Sequence, residues 1–358
     1  KPFNMLRDQL LDRTKTNPVG ITTALHGGGG FGKTLLAQAL CHDEAIRDAF
    51  DDGILFVRFG QDPNLLDILN RHLKLLNPQE RGYDDTQLAA QRFATLLEGR
   101  DMLVVLDDVW HIAHITPFTY HKSSGDTEKR QVAYLITTRR TDVLLTTKTV
   151  PVTVDQMETD EAVNMLVKQL EIESKKADLT PLAHLVERLG NWALLIEIIG
   201  ATLKVNLYKQ ANLSLKDAIA SIEERLTQKG INYFRNKNVT QEDRNYAISK
   251  SLEASVSYLT HPNCFEKLGI FPEDTDIPFS TAHALWSAKN SLWDVIDTED
   301  SVREMDELSL FARCDYQNKT FRLHDVIREA IEGDITSKNQ RQDLLRDLIK
   351  GWGTPSEL

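Results

Sequence analysis

The sequence predicts an α/β domain with a parallel sheet, followed by a helical bundle and then by a smaller unit of helices closed by a hairpin. Three observations predict it. Short apolar or β-branched runs alternate with amphipathic stretches up to about residue 154. Helical periodicity alone follows, and further helical segments then precede two strand-like runs. Strands alternating with helices imply a mostly parallel sheet covered on both faces.

The strand-like runs are ITTAL (21–25), GILFVRF (53–59), MLVVL (102–106), VAYLIT (132–137) and TVPVTV (149–154). Between them, NLLDILNRHLKLL (64–76) and TQLAAQRFATLLE (86–98) repeat apolar residues at helical spacing. The polar KSSGDTEKR within 121–131 reads as an exposed loop before the fourth strand. Helical patterns at 158–171, 180–189, 192–204 and 214–226 suit a four-helix bundle, and QKGINYFRNKN (228–238) reads as a linker. Helices resume at 242–259, 262–268, 279–289 and 299–309. FARCDYQNKTFRLHD (311–325) then reads as a hairpin turning at Gln317-Asn318, and helices followed by a hairpin are the order of a winged-helix domain. The tail from about 336 reads as one more helix. The expected division is 1–154 for the α/β domain, 155–238 for the bundle with its linker, 239–335 for the winged helix, and 336–358 for a helix leading to a further domain.

Composition narrows the class. A length of 358 residues, with 41% hydrophobic and 27% charged residues, describes a globular protein of several domains. The net charge of −11 argues against a general nucleic-acid or anionic-membrane binder. Cys41, Cys264 and Cys314 are too far apart for a zinc spacing or a disulfide framework, so a cytoplasmic setting is expected. WALLIEIIGATL (192–203) is the longest apolar stretch, and it carries Glu197 and is too short to span a bilayer. The chain begins at Lys1 without a methionine, which suggests a fragment of something longer.

Chemistry concentrates at GGGGFGKT (27–34), which satisfies G-x-x-x-x-G-K-[ST] between a strand-like run and the helix-like LLAQALC (35–41). Glycines let backbone N–H groups converge on phosphate oxygens, and the following helix adds its positive dipole end. The residues expected around the phosphates are Gly27, Gly28, Gly29, Gly30, Phe31, Gly32, Lys33, Thr34 and Leu35. Lys33 would reach the β- and γ-phosphates, and the Thr34 hydroxyl would meet Mg²⁺. MLVVLDDVW (102–110) is an apolar strand ending in an aspartate, the Walker B arrangement, which makes Asp107 the second metal-site residue. Asp108 stands where a residue positions the attacking water, but aspartate is a methylene shorter than the usual glutamate, so slow hydrolysis at most is expected. In VAYLITTRR (132–140), Thr137, Thr138 and Arg139 end a strand where a polar and a cationic group sense the γ-phosphate, with Arg140 as the competing cation.

These motifs, with GNWALLIEIIG (190–200) and FRLHDVIREA (321–330), occur in an order that resembles the NB-ARC family of STAND P-loop NTPases. That family includes apoptosome scaffolds, plant immune receptors and bacterial relatives. The resemblance covers nearly the whole chain. It implies a P-loop α/β domain, a helical bundle and a winged helix, with the sensor strand inserted between the Walker A and Walker B strands. It also implies ADP or ATP with Mg²⁺ as ligands, Arg139 as sensor, and Leu323-His324-Asp325 in place of the family's Met-His-Asp motif. His324 would bond the β-phosphate of ADP, a contact worth about 1.5–3 kcal/mol, which is too little to latch a switch alone. The helix start departs from the family, because Ala193 (or Trp192, on the plant spacing) replaces a proline that closes over adenine. Trp192 reads as core before it reads as a base-stacking residue. The adenine side would then fall to Pro18, Val19, Gly20 and Ile21, just before the first strand.

The resemblance implies a regulatory switch: ADP would hold the module closed, and ATP would open it to self-oligomerise. Effector and sensor domains would lie before and after this module. Two other classes compete. A turning-over AAA+-like ATPase would need a better base than Asp108. A winged-helix transcriptional regulator would need a basic face. Residues 299–335 instead set Arg303, Arg313, Lys319, Arg322 and Arg328 against Glu299, Asp300, Glu304, Asp306, Glu307, Asp315, Asp325, Glu329 and Glu332.

Overall fold

In the computed structural model, the apolar runs of the first half line up side by side as one parallel sheet. The structure describes residues 2–12, 19–22, 32–119, 132–146, 150–154, 156–172, 178–210, 212–228, 241–290, 292–334 and 338–352. The chain divides into two units, Lys1–Asp155 and Gln156–Leu358.

The first unit runs α1 (Pro2–Leu11), β1 (Val19–Thr22), α2 (Lys33–His42), α3 (Glu44–Ala49), β2 (Ile54–Arg58), α4 (Leu65–Leu76), α5 (Thr86–Leu97), β3 (Leu103–Val109), α6 (Ile112–Ile115), β4 (Ala133–Thr138), α7 (Thr141–Thr146) and β5 (Val150–Thr153). The sheet order is β2-β3-β4-β1-β5, so the strand carrying Thr137 does lie between the strands leading to the two nucleotide motifs. β3 has the run of a strand buried on both faces, and Leu103, Val104, Val105 and Leu106 are fully buried. On one face, α4 and α5 cover the sheet with Leu69, Leu73, Phe93 and Leu97, which join Val104, Leu106, Phe118 and Ile136 in one core. On the other, α2 packs against β3 and β4 and buries Ala37 and Leu40. Asn64 and Asp85 cap α4 and α5 by accepting the N–H of Asp67 and Leu88, which explains where each helix starts.

Two boundaries differ from the sequence reading. β1 begins at Val19, so Val19, Gly20 and Ile21 lie within the strand and not before it. There they pair with Leu135, Ile136 and Thr137 on one side and with β5 on the other, a registration that composition does not reveal. β3 runs on to Val109 through a register shift between Leu106 and Val109. Residues 23–25 and the 121–131 loop lie outside the described residues, as does the linker from residue 229 on.

The second unit runs α8 (Thr159–Gln169), α9 (Thr180–Arg188), α10 (Ala193–Lys209), α11 (Leu215–Gln228), α12 (Gln241–Val256), α13 (Pro262–Lys267), β6 (Ile277–Pro278), α14 (Phe279–Ser287), α15 (Val295–Glu307), β7 (Phe311–Asp315), β8 (Thr320–Leu323), α16 (Asp325–Asp334) and α17 (Lys338–Gly351). α10 is apolar on nearly every face and sits centrally, packed by α8, α11 and α12. A buried hydroxyl pair, Thr202 and Ser255 at 2.8 Å, ties α10 to α12. The hairpin of β7 and β8 forms where expected and gains β6, giving the antiparallel order β6-β8-β7. The two residues of β6 carry no strand signal of their own. α15 starts four residues earlier than its pattern suggests, because Asp294 and Asp297 form a reciprocal cap.

Phe93 is fully buried and meets Phe118 edge-on at 5.3 Å. Phe93→Ala is expected to cost about 3–5 kcal/mol of stability in the first unit, read as a lowered midpoint in urea unfolding followed by circular dichroism. An unmoved midpoint would place the core elsewhere.

Candidate nucleotide site

The candidate residues of the first unit gather at the carboxyl ends of β3 and β4 and the first turn of α2, the end of a parallel sheet where ligands bind. Gly32 stands just before α2 with φ of +80°, a left-handed conformation that glycine takes without strain. Lys33 and Thr34 open the helix. Lys33 is buried, and its ammonium is pulled down to about 8, first by burial and then by the field of Arg139. Asp108 and Asp107 oppose that shift. A buried cation held by nearby carboxylates is poised to gain from an anion, because a phosphate would restore the stabilisation that water gave it.

Asp107 is the hub. Its carboxylate is completely buried and accepts hydrogen bonds from three elements. Thr34 Oγ1 donates to Oδ1 at 3.0 Å and lies 3.2 Å from Oδ2. Thr137 Oγ1 donates to Oδ1 at 2.6 Å, and Arg58 Nε donates to Oδ2 at 3.3 Å. The convergence of a threonine hydroxyl and a carboxylate offers hard oxygen donors, the donor set that suits Mg²⁺. Thr34 gives its proton to Asp107, which leaves the hydroxyl lone pairs for a cation.

The register shift in β3 explains how neighbouring aspartates serve different partners. Successive strand residues ordinarily point to opposite faces. Asp108 instead takes φ of 54°, and its N–H donates to Thr137 Oγ1 at 2.9 Å. Its carboxylate accepts from Trp110 Nε1 at 3.2 Å and lies 3.5 Å from Arg139 Nε. The Arg139 guanidinium also lies over the Trp110 ring, 5.0 Å from its centroid. Arg140 turns away to the surface, where Asp142 takes it in a two-point pair at 3.0 and 2.7 Å.

Thr34, Asp107, Asp108 and Arg139 are therefore brought together with Lys33. Gly27, Gly28, Gly29, Gly30 and Phe31 lie outside the described residues. Leu35 is in the same helical turn but 64% exposed. Ala193 and His324 belong to the second unit. Ala193 is the first residue of α10, the helical position that proline favours, with Trp192 buried just before it. His324 follows β8, its carbonyl accepts the Arg328 N–H at 2.8 Å, and burial lowers the pKa of its imidazole below the usual histidine value. Two roles differ from the sequence reading. The hydroxyls of Thr137 and Thr138 are used to hold the end of β3, through Asp107 and the Val109 carbonyl. Arg58 was not anticipated. An arginine ending an apolar strand, beside a strand that ends in aspartate, was the only available signal.

A parallel sheet in this order, with a glycine, a lysine and a threonine opening the helix next to a buried strand-end aspartate, defines a P-loop nucleotide-binding domain. Residues 2–175 match the model of the NB-ARC domain, and this stretch of the chain is similar to that family. It is 27% identical over 353 residues to the probable disease resistance protein RF9 of Arabidopsis thaliana, an alignment covering 89% of this chain and 31% of that protein. It is 25% identical over 375 residues to the disease resistance protein RPP8 of the same plant, covering 95% and 38%. The chain thus spans about a third of the length of these curated relatives. In fold it is similar to a signal transduction ATPase with numerous domains from Pyrococcus horikoshii that carries a tetratricopeptide repeat sensor. That match has a TM-score of 0.53 at 13% identity and covers 98% of this chain and 45% of that one. The NB-ARC match implies that the chain binds nucleotide.

Two outcomes test the site. Burial draws the Lys33 ammonium down to about 8, and a phosphate bound there would hold the proton on. Nucleotide affinity measured by calorimetry should therefore fall above that pH, approaching about tenfold per unit. A flat profile would mean that Lys33 does not meet the phosphate. Thr137→Val keeps the shape but strips Asp107 of a donor and the Asp108 N–H of its acceptor. It should cost about 1–3 kcal/mol in thermal or urea unfolding, against no change if solvent replaces those bonds.

Proposed function

We propose that this chain is the ADP/ATP-binding switch module of a STAND protein of disease-resistance type. ADP favours a closed form, and ATP favours an open form that self-associates. Lys33 neutralises the phosphates, and Thr34 with Asp107 holds Mg²⁺, whose charge would offset that of a triphosphate. Arg139 reports the γ-phosphate, and His324 contributes to retaining ADP. The observation that carries this reading is the 3.0 Å contact between Thr34 and Asp107, residues 73 apart in sequence, beside the buried Lys33.

The same site speaks for slow hydrolysis at most. One Asp108 oxygen is engaged by the Trp110 N–H and the other faces Arg139, and a carboxylate so stabilised is a poor base for an attacking water. A DNA-binding role for the hairpin region is disfavoured too. Lys319 pairs with Glu299, Arg322 with Asp274 and Asp276, Arg328 with Glu273 and Glu332, and Arg313 with Asp315, so little positive field is left for phosphates. Among the described residues no helix is long and apolar enough to cross a membrane, and a cytoplasmic location forms part of the proposal.

The test is to denature the purified chain and identify released nucleotide by chromatography. About one ADP per chain is expected, lost in Lys33→Ala, whereas equal nucleotide content in the two proteins would remove the P-loop assignment. Asp107→Asn should abolish the Mg²⁺ dependence of triphosphate binding; retained dependence would put the metal on other residues.

A further inference from the structure

Trp110 lies three residues beyond Asp107, just past the end of β3, and its indole is half-buried. Three contacts join it to the neighbouring charges. Its N–H donates to Asp108 Oδ2 at 3.2 Å, its ring face carries the Arg139 guanidinium at 5.0 Å, and Arg139 Nε stands 3.5 Å from Asp108 Oδ1. Carboxylate, guanidinium and indole therefore close a triangle in which each touches the other two. The charge of Arg139 also reaches Lys33, whose pKa it lowers together with burial. The triangle stands beside the phosphate-binding lysine.

The arrangement restrains a side chain that is otherwise costly to order. An arginine gives up substantial rotamer entropy when fixed, and a carboxylate alone tends to take it fork to fork through two N–H groups. Such a pair would turn the guanidinium inward and mask its charge. Here the ring face supports the guanidinium plane, while the indole N–H holds the second carboxylate oxygen. The ion pair runs through Nε, the inner nitrogen of the guanidinium.

We propose that Trp110 is a positioning residue that keeps Arg139 directed at a terminal phosphate. On this view the Asp108–Trp110–Arg139 triangle, and not Arg139 alone, sets the preference of the site for nucleoside triphosphate over diphosphate. The proposal rests on the nucleotide-switch reading above. Its structural basis lies wholly within the first unit, where the residue two places after Asp108 is chosen for its face and its N–H together.

The experiment equilibrates the full chain with Mg²⁺ and equimolar ADP and a β,γ-imido analogue of ATP. Free nucleotide is then removed and the bound pair is quantified by chromatography. The variants are Arg139→Ala, Trp110→Leu, Trp110→Phe and the double change Trp110→Leu with Arg139→Ala. Leucine keeps apolar bulk and removes both the ring face and the N–H, whereas phenylalanine keeps the face. Trp110→Leu should lower the triphosphate-to-diphosphate ratio by roughly fivefold, the size of a partly desolvated cation–π contact. Trp110→Phe, which keeps the face but loses the N–H, should fall between the parent and Trp110→Leu, and the double variant should be no lower than Arg139→Ala alone. A parental ratio in Trp110→Leu, with a lowered one in Arg139→Ala, overturns the positioning role and leaves the switch reading standing. So does an equal loss of both nucleotides, which would mark Trp110 as merely structural. An unchanged ratio in Arg139→Ala removes the sensor role of Arg139 itself, and the proposal with it.

Discussion

A carboxylate with no exposed surface holds the nucleotide-binding unit in its working geometry. Burying the Asp107 carboxylate is tolerable only with partners on both oxygens. It draws them from α2 through Thr34, from β4 through Thr137 and from β2 through Arg58. Those three contacts join the ends of β2, β3 and β4 to the start of α2. Removing one partner would leave charge stranded in a dry place, so geometry and stability are the same problem here.

The irregular end of β3 is the second consequence. Asp107 faces α2 and Asp108 faces Arg139 where the strand shifts register between Leu106 and Val109, with Asp108 in a left-handed conformation that aspartate tolerates better than most residues. Thr137 accepts the Asp108 N–H and donates to Asp107, so one hydroxyl stabilises the break and orients the carboxylate. Strain at this point is thereby matched by bonds that a regular strand would not form.

The second unit depends on a different constraint. α10 is apolar almost all round and must be enclosed, which α8, α11 and α12 accomplish. The hairpin and its flanking helices are instead laced by ion pairs, among them Arg328 between Glu273 and Glu332 and Arg322 between Asp274 and Asp276. The Arg328 and Arg322 side chains are mostly buried, so these pairs hold their positions and fix the charge pattern that this unit presents.

By itself the sequence determined the parallel α/β class of the first unit, the lysine and threonine that open α2, the strand-end aspartate beside them and the likeness to the NB-ARC family. Each is written in local order: a fixed spacing, an apolar run, or a period of two or 3.6. Helices such as α4 and α5 were legible for the same reason, since their apolar faces and capping residues lie within a dozen positions. Tertiary structure alone decided what pairing over long separations decides. It placed Val19 and Ile21 inside β1, and it added β6 to the hairpin. It also set Arg58 against Asp107, 49 residues away, and separated Arg139 from Arg140 by giving one to Asp108 and Trp110 and the other to Asp142. Two adjacent arginines look alike in a sequence. They differ only when the strand end beneath them turns one toward a buried lysine and the other toward water.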